Sequence, residues 1–164
     1  MRHLVIIIVS LLLVVATWAG WRRHVFNELK IAHPANVAEF ESDMTEALAR
    51  QIFQELQKNG PSAFFLAFGE RLTPPSGAFI ARFQNVQPRV ERFDAAVMPP
   101  TGMIMDTSSG RIGLIVQIIK IKPYVVGEYE VEVAISNAKA GWDHFVYRIF
   151  NAGGEWRVKG RTPA

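Results

Sequence analysis

Hydrophobic and polar positions follow three patterns in turn along this chain. Residues 4–21, LVIIIVSLLLVVATWAGW, contain no charge. As a helix they would reach roughly 27 Å, about the hydrocarbon thickness of a bilayer, which predicts a transmembrane span. From Asn36 the period becomes helical: Phe40, Met44, Leu48, Ile52 and Leu56 recur every fourth residue. Asn36 with Glu39 forms an Asn variant of the capping box, and Asn59-Gly60-Pro61 ends the stripe. Pro61 opens a second expected helix through the Phe-rich SAFFLAFGERL, which Pro74-Pro75 closes, and a short third helix is expected over 76–83.

From Arg89 the period changes to two. RVERFDAAVM reads as a first strand, and MPPTGMIMDTSSGR is a connection punctuated by Pro, Gly and Ser. RIGLIVQIIKIK is apolar on both parities, as a central strand should be. EYEVEVAI alternates, with Tyr129, Val131, Val133 and Ile135 on one face and Glu128, Glu130 and Glu132 on the other. HFVYRIF, the turn NAGGE and WRVKG complete a meander. Setting Ile149 opposite Val158 puts Tyr147, Ile149, Trp156 and Val158 on the core side and sends Arg148, Arg157 and Lys159 to the glutamate side. The glutamate row, facing Lys120, Lys122, Arg148, Arg157 and Lys159, is expected to be a solvated ladder of ion pairs rather than a metal or acid-base site.

The end of the apolar run decides where the domain works. Thr17-Trp18-Ala19 loosely fits a signal-peptidase site, so cleavage after Ala19 is one reading. Retention is the favoured one: Trp18 and Trp21 fall where indoles anchor a span at the headgroups, and Arg22 and Arg23 follow as a charged stop. A literal count of positive charges leaves the domain in the cytoplasm. A short N-terminal anchor with a tiny tail more often delivers the following domain outside, and that side is expected here.

The 164 residues then divide into an anchor and juxtamembrane segment over 1–30 and one α+β domain over 31–164. Apolar residues make up 49% and the net charge is only +3, with both signs mixed, which argues against nucleic-acid binding. There is no cysteine, so disulfides, thiolate metal sites and cysteine nucleophiles are excluded. No phosphate loop, nucleophile elbow or His-Glu-x-x-His is present, and no cofactor is called for. His3, His24 and His33 offer no metal-ligand spacing.

Helices followed by a meander carrying GRIGLIVQIIKI, GEYEVEVAI, WDHFVYRIF and GGEWRVKG resemble the cystatin-like, cone-shaped fold of nuclear transport factor two and its relatives. The C-terminal pattern is similar to that of many small bacterial proteins of this type, often secreted or membrane-tethered. The resemblance implies helices packed on a curved antiparallel sheet of four to five strands. It also implies where chemistry would sit, because enzymatic relatives such as ketosteroid isomerases and scytalone dehydratases place Asp, His or Tyr inside the cone. Tyr129, Asp143 and Tyr147 lie on that parity here, whereas His144 does not. Asp143 follows Ala140-Gly141 at a strand start, where a carboxylate more often caps the chain, and Asp106 in MDTSSG has the composition of a turn. In relatives of this fold the open sheet face frequently dimerises.

The other parity of the central strands carries Leu114, Val116, Ile118, Trp142, Val146 and Phe150, more large apolar groups than a solvent face needs. Ile118, Trp142, Val146 and Phe150 are the candidate partner-binding residues. The combined expectation is a single-pass cell-membrane protein whose non-catalytic binding or assembly domain engages the bilayer surroundings, a second copy, a membrane protein or a small ligand through its sheet face or pocket. The alternatives are a small isomerase- or dehydratase-like enzyme using Asp143 with Tyr129 or Tyr147, and a secreted binding protein released after Ala19.

Overall fold

A computed structural model describes residues 36–97, 104–110, 112–136 and 141–164. Its first regular element is a 3-10 turn, Val37–Glu39, and the long helix α1 spans Asp43–Leu56. Ser42 caps α1, its Oγ accepting from the Thr45 backbone N–H at 3.3 Å, with Asp43 and Glu46 acidic in the first turn where the helix dipole favours them. Asn36, the expected cap, instead donates from Nδ2 to Glu39 Oε1 at 3.0 Å across the 3-10 turn. The chain leaves α1 through a further 3-10 turn and Gly60, whose φ of 67° only glycine adopts without strain.

The principal departure from the sequence pattern follows. SAFFLAF is not a helix; it is strand β1, Phe64–Phe68, buried along its whole length. It lies between two parallel partners, β2 (Val90–Arg92) and β5 (Leu114–Val125). A strand covered on both faces needs no alternation, so its apolar run mimics that of a buried helix. Between β1 and β2 runs the short helix α2, Gly77–Ala81, capped by Ser76 within the expected 76–83 segment. Glu41 ties this cap to the approach of α1, accepting from Ser76 Oγ at 2.8 Å. The expected first strand, RVERFDAAVM, is split: β2 is followed by a 3-10 turn, Phe93–Ala95, and by β3, Ala96–Val97, which pairs antiparallel with β4, Met105–Asp106.

The C-terminal meander forms as the alternation predicts. β6 (Glu128–Ser136), β7 (Trp142–Ala152) and β8 (Glu155–Pro163) extend β5 antiparallel, giving the order β2-β1-β5-β6-β7-β8. Ile149 stands opposite Val158, the expected register. On one face of the sheet α1 and α2 cover Phe64, Leu66 and Phe68 of β1, Leu114, Val116 and Ile118 of β5, Val131, Val133 and Ile135 of β6 and Tyr147 and Ile149 of β7. Phe53 of α1 stacks on Phe64 at 4.7 Å between ring centroids, and Phe79 of α2 meets Phe68 edge-on at 5.7 Å. On the opposite face Leu72, Phe93, Ala96 and Ile104 form a second layer, over Ala63, Phe65, Ala67 and Ile115.

This architecture corrects the expected fold class. The chain does not form a cystatin-like cone of helices on a four- to five-strand antiparallel sheet: it is mainly β, with one long helix among the described residues on a six-strand mixed sheet. The reason is β1, which turns an expected helix into a central parallel strand and brings in β2. The transmembrane, single-pass expectation and the cell-membrane localisation built on it are also corrected: among the described residues no helix is long and apolar enough to cross a membrane. The run expected to do so, with Trp18, Trp21, Arg22, Arg23 and the cleavage point after Ala19, lies outside the described residues.

Candidate functional site

The layer formed by Leu72, Phe93, Ala96 and Ile104 covers β1 and β5 only, so the outer faces of β6, β7 and β8 carry no second layer among the described residues. The β6–β7 register brings Glu128 beside Phe150, Glu130 beside Arg148 and Glu132 beside Val146 on this open half, whereas Ala134 and Ser136, beside His144 and Trp142, are buried, the Ser136 hydroxyl accepting from the Ile115 backbone N–H at 2.7 Å. The charges pair across strands. Arg148 Nε reaches Glu130 at 3.2 Å, Lys159 Nζ reaches Glu128 at 2.9 Å, and Lys122 pairs with Glu132. Such half-exposed pairs neutralise one another and contribute little stability each. Arg148 also lies over the Tyr124 ring, 4.3 Å from its centroid. Trp142 stays 37% exposed and Val146 and Phe150 half-buried, so three of the four expected partner-binding residues reach the open half.

Ile118 does not. It is fully buried on the helix side with Leu114 and Val116, because the register shifts between Ile118, opposite Val133, and Lys120, opposite Glu132, so residues of one sequence parity fall on opposite faces. A Cβ on Gly113 would meet Phe65 Cε2 at 2.5 Å. The outward positions of β5 next to β1 are Ile115, which the second layer covers, and Gln117, whose Nε2 donates to the Gly69 carbonyl at 2.8 Å.

A second feature lies where α1 passes β8. Gln51 and Glu55 on the helix, Lys58 in the 3-10 turn after it and the edge from Val158 to Arg161 line a cleft of about 480 Å³ with Tyr147 at its base. Arg161 Nη1 donates to Glu55 Oε2 at 2.9 Å and to the Tyr147 hydroxyl at 3.2 Å, and the guanidinium lies 4.7 Å from the Phe145 ring centroid. Burial raises the Tyr147 phenol above its ordinary range, with Arg161 opposing, so the hydroxyl stays protonated near neutral pH. The sequence pattern missed this cleft: Arg161 and Glu55 are 106 residues apart, and neither is remarkable within its own element.

The expected acid-base set is not assembled. Asp143 stands opposite Ile135 but is exposed, Tyr129 is half-buried against Trp156 with ring centroids 5.8 Å apart, and Tyr147 is engaged by Arg161. Asp106 is buried and holds its own turn, accepting from the backbone N–H groups of Ser108 at 3.0 Å and Ser109 at 3.2 Å and pairing with Arg89. Its carboxyl is held far below the usual range, chiefly by the Ser109 hydroxyl and then by Ser108, with Arg89 adding to the effect and burial opposing it. Among the described residues no three His, Asp or Glu side chains gather to hold a metal ion.

Fold and surface together define a two-layered mixed-sheet domain with one half-face left open and a cationic cleft at its last strand. The chain matches no family model, no curated protein and no solved structure.

Proposed function

We propose that this protein is a non-catalytic binding and assembly module whose open half-face docks a protein, and that the partner the face suits is a second copy of the same chain. The observation that carries this is the contrast within one sheet face: β1 and β5 are covered, while Trp142, 37% exposed, and the half-buried Val146 and Phe150 lie beside the ion-pair ladder with no second layer over them among the described residues. Charge favours a self-complementary contact. The glutamate column of β6 lies between the lysines of β5 and the cations of β7 and β8, so a two-fold axis between β6 and β7 would set anionic columns against cationic ones. Large aromatic and aliphatic groups at the centre of such a face would supply the dry contact that ion pairs do not.

The chain has no native cysteine, which makes the test direct. Single cysteines introduced at His144, Arg148 and Phe150 in turn, in the full chain, are oxidised beside an Asp94→Cys control on the covered side. At least one position on the open half should yield a covalent dimer, and Trp142→Ser in the same background should abolish it. Equal crosslinking of the Asp94→Cys control, or none from any open-half position, would overturn self-association.

A further inference from the structure

The cleft between α1 and β8 lies on the helix side of the sheet, so ligand binding there can be measured independently of docking on the open half. Two cationic side chains, Lys58 and Arg161, line it against one carboxylate, Glu55, while Lys159 borders it with its ammonium turned to Glu128. Arg161 is held from three directions: by Glu55, by the Tyr147 hydroxyl and by the Phe145 ring beneath its plane. Both recorded hydrogen bonds use Nη1, so the fork presented by Nε and Nη2 is a ready bidentate donor. Tyr147 accepts from Arg161 and is itself fully buried, so it braces the guanidinium from beneath the cleft. Gly160 adds no side chain, and a Cβ there would meet nothing within 4 Å, so the cleft is open at the strand edge.

We propose that this cleft is a binding site for a small ligand bearing an oxyanion, a carboxylate or a phosphate, received by the Arg161 guanidinium, with Tyr147 bracing that guanidinium and Lys58 as a neutralising charge. Glu55 is then an internal competitor. It keeps Arg161 oriented in the empty site, and it opposes the ligand by its own charge.

That opposition separates binding from a merely structural role. Inorganic phosphate and benzoate are titrated in parallel into the full chain while the Gly160 backbone amide resonance, present in every variant, is followed together with the wild-type Arg161 Nε–Hε resonance, the two probes distinguishing phosphate from carboxylate preference. Saturable shifts are expected with at least one probe. Arg161→Gln should weaken binding about tenfold or more, and Arg161→Lys, which keeps charge but not the fork, should fall between. Tyr147→Phe should weaken it a few-fold, on the order of one hydrogen bond. Glu55→Gln should tighten it, whereas a purely structural Glu55 would leave affinity unchanged or reduced. Urea midpoints measured on each variant identify any that fail to fold, and Arg161→Lys with Glu55→Gln, both conservative, keep the test decisive in that event. Linear, unsaturable shifts with both probes, unchanged binding in Arg161→Gln, or weaker binding in folded Glu55→Gln would each overturn the site.

Discussion

The outer face of this sheet has two halves, one over strands apolar on both parities and one over strands that alternate, and they are treated in opposite ways. Over β1 and β5, Phe65, Ala67 and Ile115 are sealed beneath Leu72, Phe93, Ala96 and Ile104. Over β6, β7 and β8 the corresponding positions hold Glu130, Glu132, Val146, Arg148 and Phe150 under no second layer among the described residues. Composition accounts for the difference. Where outward residues are all apolar, burial is worth roughly 2–3 kcal/mol for a large side chain, and the chain folds back over them. Where each apolar residue has charged neighbours along and across strands, covering the face costs the desolvation of those charges. One half therefore stabilises the monomer, and the other is the half proposed to dock a partner that can meet charge with charge.

The sharpest break of the comparison is a truncation on each side. Phe65→Ala removes a fully buried ring and should destabilise by about 3–5 kcal/mol in urea unfolding, whereas Val146→Ala on the open half should cost less than about 1 kcal/mol. Comparable losses at the two positions would mean that the open half is covered as well. Gly113→Ala tests the same half without removing anything. Its Cβ would lie 2.5 Å from the Phe65 ring and 2.9 Å from the Ala63 carbonyl oxygen, and the overpacking should cost about 1–3 kcal/mol.

The two halves also differ in how far the sequence disclosed them. Glu128, Glu130 and Glu132 alternate with Tyr129, Val131 and Val133, and one charge-matched register was enough to place Ile149 opposite Val158. Period two carries that information because one face is wet. β1 carries none: Phe64 to Phe68 are apolar on both parities, and the preceding Pro61 and following Gly69 punctuate a helix as well as a strand. Reading them as a helix removed a strand from the sheet and hid the parallel pairing, while the register shift between Ile118 and Lys120, invisible to an unbroken period of two, put Ile118 on the helix side. The cleft was hidden for another reason. Glu55 lies on a helix face and Arg161 on an edge strand, and only tertiary packing brings them to 2.9 Å.

Asp106 sharpens the comparison at the rim of the covered half, because it fastens the β3–β4 flap to Arg89 beside β2. Its native carboxyl is depressed below the unfolded value, so its contribution is fully present above the usual carboxylate range and is lost as pH falls below about 4. Asp106→Asn should cost about 1–3 kcal/mol near neutral pH by weakening charge-assisted hydrogen bonds to Ser108, Ser109 and Arg89. The gap between wild type and variant should narrow on acidification, measured as urea midpoints across the pH series. A constant gap would show that Asp106 acts there through packing rather than charge.

The smallest effect belongs to the open half. Arg148 pairs with Glu130 at 3.2 Å and covers Tyr124, but it is exposed, so Arg148→Ala should shift stability by no more than about 1 kcal/mol, less still in high salt. Its larger consequence should appear in association. Without the cation the β6 glutamates lose a partner within the chain and the opposing copy loses a complementary charge, so the dimer should weaken while the monomer hardly changes. Sedimentation equilibrium of the full chain beside its own urea curve reads both quantities. A loss of stability without a loss of association would assign Arg148 to the fold and take the ladder out of the docking surface.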